Sequence, residues 1–514
     1  LCALARMDRR MLTYRVKRIV RNAVARRFPN AYGAFIRRRA AQLPPLVLSA
    51  VHAPLTEMVA GFYLGEAREI AAGRITLLGY TASFAGSSQI DWAYCPPGEE
   101  GFYLWRQKLA HMGFLCVLLS DPSGPDDEKI TAALDSFGAQ ARFDAKNVFD
   151  WAWFPYSASH RILAILSGAA RAKTRGQLSA SLEKRLAEFL RQNAAFVLAN
   201  LEHDLENNHL ERNLAALCFY AMHTDCTGRV LARRLDRVVS RYLEKNILPD
   251  GMTIERSAMY HGLSVMALSI FAESALLASA TRARAAEKLQ AAKHAHHLLT
   301  HPDGEIALFN DAWFGEVPVA SVLAPVEQFA PVTVLPDAGY ARLEAGDLFA
   351  LFDAGPIGPK WNPGHGHSDF LAVELDVHGR RFIVDPGVYS YAPGPRRAYD
   401  RRAQSHNGPW IRGVEPIRYA GSFRAGRLRS AELIEEGEVS VSGRIAYARA
   451  RVSRRLQLRE TATAEATAEA TAEAEASARR SWLVHAAPRS KSTAPLSWPP
   501  SLTLPRTLPP RWPR

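Results

Sequence analysis

The hydrophobic period of this chain changes once, from the helical spacing of about 3.6 to the strand spacing of 2, near residue 331. Between residues 158 and 300 apolar residues recur at helical intervals. Ser179 precedes a stripe of Leu182, Leu186, Phe189 and Leu190. Residues 229–248 repeat the pattern through Val230, Leu231, Leu235, Val238, Val239 and Leu243, and Pro249-Asp250-Gly251 stops it. Residues 263–299 predict two further helices with a break near Ser279–Thr281. From residue 331 the chain reads as strands, among them Leu348–Asp353 and the stretch from Glu438 to Tyr447. Helices followed by strands, without alternation, exclude a doubly wound sheet and predict separate α and β domains. A length of 514 residues agrees with more than one core.

The best-marked short segment lies inside the β region. Gly364-His365-Gly366-His367-Ser368-Asp369 is followed by apolar runs at 370–377 and 381–385, with His378-Gly379 as the turn of a hairpin between them. The first run starts beside the histidines and the second ends at Asp385-Pro386, so an antiparallel hairpin predicts that His367 meets Asp385. An imidazole beside a carboxylate is half of a zinc site, and His406 of Ser405-His406-Asn407 is a candidate third ligand. The glycines around His365 predict backbone closed to other residues.

The net charge of +13 suggests a polyanion partner until it is located. Residues 1–42 carry +11 and residues 479–514 carry +7, which leaves −5 for everything between them. The basic charge therefore sits in two ends and gives no argument for a sulfated substrate in the body. Around Tyr14–Val24 the basic end has the pattern of an amphipathic helix, read as a solvated extension or, alternatively, as a contact for a membrane surface or anionic polymer. It lacks the apolar core of a secretory signal, and a first residue of Leu rather than Met fits a chain missing its true start. No apolar run reaches the ~18 residues that span a bilayer. Cys2, Cys95, Cys116, Cys218 and Cys226 show no paired ligand spacing and read as free thiols, with Cys218–Cys226 as an unsupported alternative.

The Gly-His-Gly-His-Ser-Asp segment, the hairpin ending Val-Asp-Pro-Gly-Val-Tyr-Ser-Tyr, and Ser-His-Asn resemble the C-terminal region of heparinase II/III-like polysaccharide lyases. Three earlier segments agree in order: Asn207-Asn208-His209-Leu210-Glu211-Arg212-Asn213, Glu255-Arg256-Ser257-Ala258-Met259-Tyr260-His261, and Leu308-Phe309-Asn310-Asp311. The resemblance runs from about residue 90 to about residue 457. It implies an N-terminal (α/α) toroid followed by an antiparallel β-sandwich. The corresponding boundaries are a basic extension at 1–42, the toroid at 43–330, the sandwich at 331–459, and a low-complexity and Pro/Arg-rich tail at 460–514. The Ala/Thr/Glu run at 460–478 reads as solvated helix or disorder and the segment from Ser490 as disordered. On this reading the sandwich lacks its final strands.

The resemblance also implies chemistry. Cleaving a uronate polymer by β-elimination requires neutralising the sugar carboxylate, removing the C5 proton and protonating the departing O4 oxygen. It assigns the first task to Asn208 and acid/base work to Tyr260 and His365. Glu211, three residues from Asn208 on a helix, would share its face and orient it. Arg256 is the candidate cation for lowering the Tyr260 pKa. His209, Glu211, Arg256 and Tyr389 are placed at the substrate, and His367, Asp385 and His406 around a zinc ion of structural use. Asn310-Asp311 is read as a turn near the cleft without a chemical role. The implied partner is an acidic polysaccharide rather than nucleic acid, and the implied location periplasmic. The rival functions are a carbohydrate-binding protein without turnover, linked to exopolysaccharide synthesis, and a zinc-dependent hydrolase.

Overall fold

A computed structural model describes residues 7–48, 52–64, 73–97, 104–224, 229–323, 328–459, 463–472 and 477–485. The chain begins with α1 (Arg9–Arg27), α2 (Pro29–Ala41) and α3 (Ala53–Leu64), then a small hairpin of β1 (Arg74–Leu77) and β2 (Tyr80–Ser83). The helices α4 (Leu104–His111), α5 (Gly113–Leu119), α6 (Asp127–Gln140), α7 (Val148–Trp151), α8 (Pro155–Thr174) and α9 (Ala180–Ala199) follow. Then come α10 (Asn207–Met222), α11 (Arg229–Asn246), α12 (Ala258–Glu273), α13 (Ser279–Leu298) and the short α14 (Ala320–Leu323).

Helices α8, α10 and α12 are buried nearly all round and pack against one another, while α9 and α13 bury one face each and lie outside them. A helix with no polar face belongs in an interior, and a one-sided stripe belongs on an outer layer. This alternation of inner and outer helices is the double layer of an α/α toroid. Caps set the helix starts: Ser179 accepts from Leu182 N at 3.1 Å and opens α9. Trp92 and Trp105 are fully buried, so they pack the core rather than stack on a ligand. The basic N-terminal segment is not a free extension, because α1 and α2 fold onto the outer helices.

The second domain is two antiparallel sheets. The first runs β3 (Val332–Leu335), β4 (Tyr340–Ala345), β5 (Leu348–Asp353), β6 (Val373–Val377) and β7 (Arg380–Ile383) in sequential order. After α15 (Pro395–Asp400) and the small pair β8 (Tyr419–Ala420) and β9 (Arg424–Ala425), the second sheet runs β10 (Ala431–Gly437), β11 (Ser440–Tyr447), β12 (Ala450–Arg459), β13 (Thr463–Ala472) and β14 (Ser477–His485). Leu343, Phe352, Val373 and Leu375 of one sheet share a core with Val441, Ile445, Val452, Leu456 and Leu458 of the other, which makes a β-sandwich. The β6–β7 hairpin turns at His378 and Gly379, both at positive φ (53° and 70°), as a two-residue turn of this handedness requires.

The C-terminal boundary differs from the expected one. Thr463–Ala472, expected as solvated helix or disorder, pairs along its whole length with β12, and Ser477–His485 pairs with it in turn. The second sheet therefore continues past residue 459. The run alternates Ala with Thr or Glu, the period of two that a strand has. The tail from Ser490 and the Cys226 half of the Cys218–Cys226 pairing lie outside the described residues.

A buried ionic cluster joins the domains. His301, on the loop after α13, places Nδ1 3.0 Å from Asp376 and Nε2 2.6 Å from Glu374, both on β6. Arg381 of β7 reaches Asp303 and Glu374, and the Phe349 ring lies 5.0 Å from His301. Burial opposes the charged imidazole, but its hydrogen bonds to the two carboxylates outweigh it and raise its pKa. A raised folded pKa contributes stability that is complete below the unfolded value of about 6.5 and is lost as pH rises through the folded value. His301→Gln should therefore cost about 3–5 kcal/mol near pH 6 and less at alkaline pH. Urea midpoints of both proteins across that range test this, and a cost that grows with pH would refute it.

Candidate functional site

Three loops at one end of the toroid carry the site, each following an outer helix. The loop after α9 leads into Asn207 and Asn208 in the first turn of α10, the loop after α11 carries Glu255, Arg256 and Ser257, and the loop after α13 carries Asn310 and Asp311. Positive φ at Glu206, Asn207, Arg256 and Asn310 marks where each loop turns back toward the next element. Ser257 caps α12, accepting from Tyr260 N at 3.3 Å and donating to the Asp311 carbonyl at 2.6 Å. One serine thus sets both the start of α12 and the position of the third loop. Across from these loops, the segment Gly364–Asp369 comes from the β domain. Its backbone passes so close to Ile357 that a Cβ on Gly366 would lie 2.0 Å from the Ile357 oxygen. Close approach, not a left-handed backbone, explains this glycine.

Asn208, Tyr260 and His365 meet there. Asn208 Nδ2 donates to His365 Nε2 at 3.2 Å and to Glu255 Oε1 at 3.0 Å, and its backbone N–H donates to Glu255 Oε2 at 2.9 Å. The His365 ring centroid lies 4.1 Å from that of Tyr260, whose hydroxyl is 3.0 Å from the Tyr391 hydroxyl. His365 keeps 11% of its side chain open to solvent, so the group is reachable from outside. Half-buried Tyr156, Trp313 and Trp361 and exposed Phe423 lie around the group.

Asp311 is the centre of the network. Its carboxylate is 2.8 Å from His365 Nδ1, 2.8 Å from His367 Nε2, and paired with both terminal nitrogens of buried Arg397. Burial works against its charge, but Arg397 and the hydrogen bonds from the two histidines hold its pKa well below the usual carboxylate range. Burial pushes His367 down to about 4 in spite of Asp311. Burial, then the neighbouring Tyr391, Tyr156 and Asp311, raises Tyr260 well above an ordinary phenol.

Residues 328–497 match the family model for the heparinase II/III-like C-terminal domain. This part of the chain is a heparinase II/III-like domain. A solved structure of heparinase III is similar over 89% of this chain and 77% of its own, with a TM-score of 0.59 and 15% identity. A heparinase III described as the BT4657 gene product gives a TM-score of 0.51 at 15% identity over 90% of this chain and 77% of its own. A heparan sulfate lyase HepC mutant from Pedobacter heparinus gives 0.50 at 15% identity, with the same coverage. At such identity the likeness concerns the fold, a helical domain followed by antiparallel sheets. No curated protein sequence matches the chain.

Beside the Asn208 group, the heparinase II/III-like domain holds a second cluster. Donor atoms of His367, Asp369 and His406 lie within 4.8 Å of one another. His367 Nδ1 and His406 Nε2 are buried without a hydrogen-bond partner, while Asp369 accepts from Asn310 N at 2.7 Å. Two unengaged imidazole nitrogens and a carboxylate suit a zinc ion. The expected triplet of His367, Asp385 and His406 is changed in one member: Asp385 lies 2.7 Å from His406 Nδ1 and holds that ring from behind. Burial pushes Asp369 up to about 6.

Other expected contacts are absent. Glu211 shares a helix with Asn208 but does not touch it. Its carboxylate is fully buried and accepts from the Tyr242 hydroxyl at 2.5 Å and the Ser264 hydroxyl at 2.6 Å. Glu255 orients Asn208 instead. Arg256 does not approach the Tyr260 phenol: its guanidinium donates to the backbone oxygens of Ile254, Asp337 and Ala338, because positive φ turns the residue toward the β domain. A cation near the tyrosine pair is Arg397, 5.0 Å over the Tyr391 ring. His209 pairs with Glu202 and packs on Tyr156 and Phe154 at the edge of the group. Tyr389 is 63% exposed beneath Arg396, away from Tyr260.

Proposed function

We propose that the protein is a polysaccharide lyase that cleaves a uronic-acid-containing acidic polysaccharide by β-elimination. The observation that carries this reading is the convergence of Asn208, His365 and Tyr260 from three separate parts of the chain, with Asp311 behind the imidazole. Asp311 accepts a hydrogen bond from His365 Nδ1–H, which leaves Nε2 as the nitrogen with a free lone pair facing Asn208. Asn208 turns the N–H now shared with His365 toward the sugar carboxylate, while Glu255 keeps the other. Freed Nε2 takes the C5 proton. The C5–H electrons form the C4=C5 double bond, the C4–O bond breaks, and O4 takes the phenolic proton of Tyr260. Burial keeps the Tyr260 phenol protonated, which suits the acid more than the base. Tyr156, Trp313, Trp361 and Phe423 offer rings for stacking on neighbouring sugars. The reading places the protein in the periplasm.

The test is a panel of uronate polymers followed by ultraviolet absorbance, since elimination leaves a conjugated unsaturated uronate and hydrolysis does not. Absorbance should rise on at least one member and vanish in Asn208→Ala. Cleavage without the chromophore would favour a hydrolase, and binding without cleavage a carbohydrate-binding protein. A hydrolytic metal centre needs an open position for water. His367, Asp369 and His406 are 0%, 2% and 7% exposed, which argues against one.

Zinc held by His367, Asp369 and His406 supplies a structural cross-link between the segment at 364–369 and the loop at 406. About one zinc per chain should be found by metal analysis, and His406→Ala should lose it. Chelation should lower the thermal midpoint. Equal zinc content in wild type and His406→Ala would end this assignment.

A further inference from the structure

Helix α1 is mounted with Arg10, Arg15, Arg18 and Arg21 turned inward and a stripe of its apolar residues outward. A surface helix ordinarily does the reverse. On the inner side, Arg18 reaches Asp204 at 2.8 Å, Arg15 approaches the same carboxylate, and Arg10 lies 3.4 Å from His203. The Arg21 guanidinium covers the rings of Phe149 and Phe196. Met11 and Ala25 complete the buried side. These contacts fix the rotation of the helix on the loop that leads to Asn208.

The outer side follows from that rotation. Val16, Ile19, Val20 and Val24 are 59%, 62%, 55% and 48% exposed. With Ala23 they occupy positions i, i+3, i+4, i+7 and i+8, one continuous stripe. Phe28 extends it past the helix end, to a length of about 18 Å from Val16. Isolated exposed apolar residues are ordinary, but a continuous stripe is not. Exposed Arg9, Lys17, Arg26 and Arg27 border the stripe, and Arg37–Arg39 on α2 are exposed as well. No acid occurs from Arg9 to Ala41.

The charge decides among occupants. A second copy of the same face would bring like charges together. An acidic polysaccharide would satisfy the cations and leave the stripe in water. A bilayer surface with anionic headgroups takes both at once, with the apolar side chains at the acyl boundary and the arginines at the phosphates. We propose that α1 docks the protein on an anionic lipid surface, lying in the plane of the interface. No helix among the described residues is long and apolar enough to cross a membrane.

The test is flotation of the full chain with vesicles of phosphatidylcholine alone or mixed with phosphatidylglycerol. Wild type should float only with the anionic vesicles, and added salt should weaken binding. Ile19→Glu with Val20→Glu should lower partitioning at least about tenfold. Both positions are exposed, so the thermal midpoint should hold. If that protein does not fold, Ile19→Ser with Val20→Ser takes its place and should also lower binding. Failure of the wild type to float with anionic vesicles overturns the proposal. So does undiminished binding by the folded double variant. Light scattering that shows a dimer dissolved by the same substitutions, without vesicle binding, would assign the stripe to a second copy instead.

Discussion

Tyr260→Phe is expected to lower turnover about 10²–10⁴-fold, the usual contribution of a positioned acid or base. The substitution removes one oxygen and keeps the ring that packs 4.1 Å from His365. The hydroxyl has one protein partner among the described contacts, Tyr391 at 3.0 Å, so the folding cost should stay near the ~1 kcal/mol of a single hydrogen bond. The proton moves only as the C4–O bond breaks, so kcat should fall while KM changes little. Tyr391→Phe is the control, because it removes the neighbouring hydroxyl and leaves the proposed acid in place. It should slow the reaction less. A folded Tyr260→Phe protein that eliminates at close to the wild-type rate would defeat the assignment, and a severe Tyr391→Phe defect beside it would move the acid to Tyr391.

Asp311→Asn should damage both stability and rate. The carboxylate is fully buried and is the counterion of Arg397, itself 2% exposed. Removing one member of a buried pair costs about 3–5 kcal/mol, because the other charge is left in the interior. The same change removes the acceptor that fixes the His365 tautomer, which should cost about 10²-fold or more in turnover. A second substitution separates the two effects. Adding Arg397→Met removes the stranded cation, so much of the stability should return while turnover stays low. Denaturant unfolding and steady-state rates on the same proteins read the two outcomes. Full recovery of turnover in the double variant would show that Asp311 acts through the fold alone.

The order of elements was written in local patterns. Ser179 before a helical stripe, Pro249-Asp250-Gly251 after one, and His378-Gly379 between two β-rich runs each describe a few neighbouring residues, and each matches the structure. The Thr-Ala-Glu run was legible as well, through its period of two. Its low complexity and helix-forming Ala and Glu pointed the other way, and pairing with β12 prevailed. Local propensity is weak where a neighbouring strand offers a ladder of backbone hydrogen bonds.

The sequence by itself also singled out the candidate side chains, because Asn208, Tyr260 and His365 stand in short segments whose order resembles the family's. Tertiary structure alone decided what surrounds them. Helical spacing put Glu211 on a shared face with Asn208, yet spacing does not say what lies opposite that face, and Tyr242 and Ser264 hold Glu211 inside the toroid. Glu255 is 47 residues from the Asn208 it orients. Asp311 is 54 residues from His365 and 86 from Arg397, in a segment that read only as a turn without a chemical role. Positive φ at Arg256 sent its guanidinium toward the β domain rather than the phenol. Asp369, not Asp385, shares the cluster with His367 and His406, since the hairpin leaves Asp385 behind the His406 ring. Periodicity reports what adjacent residues share, whereas the charge partners of a buried group come from segments that only the closed fold brings within about 3 Å.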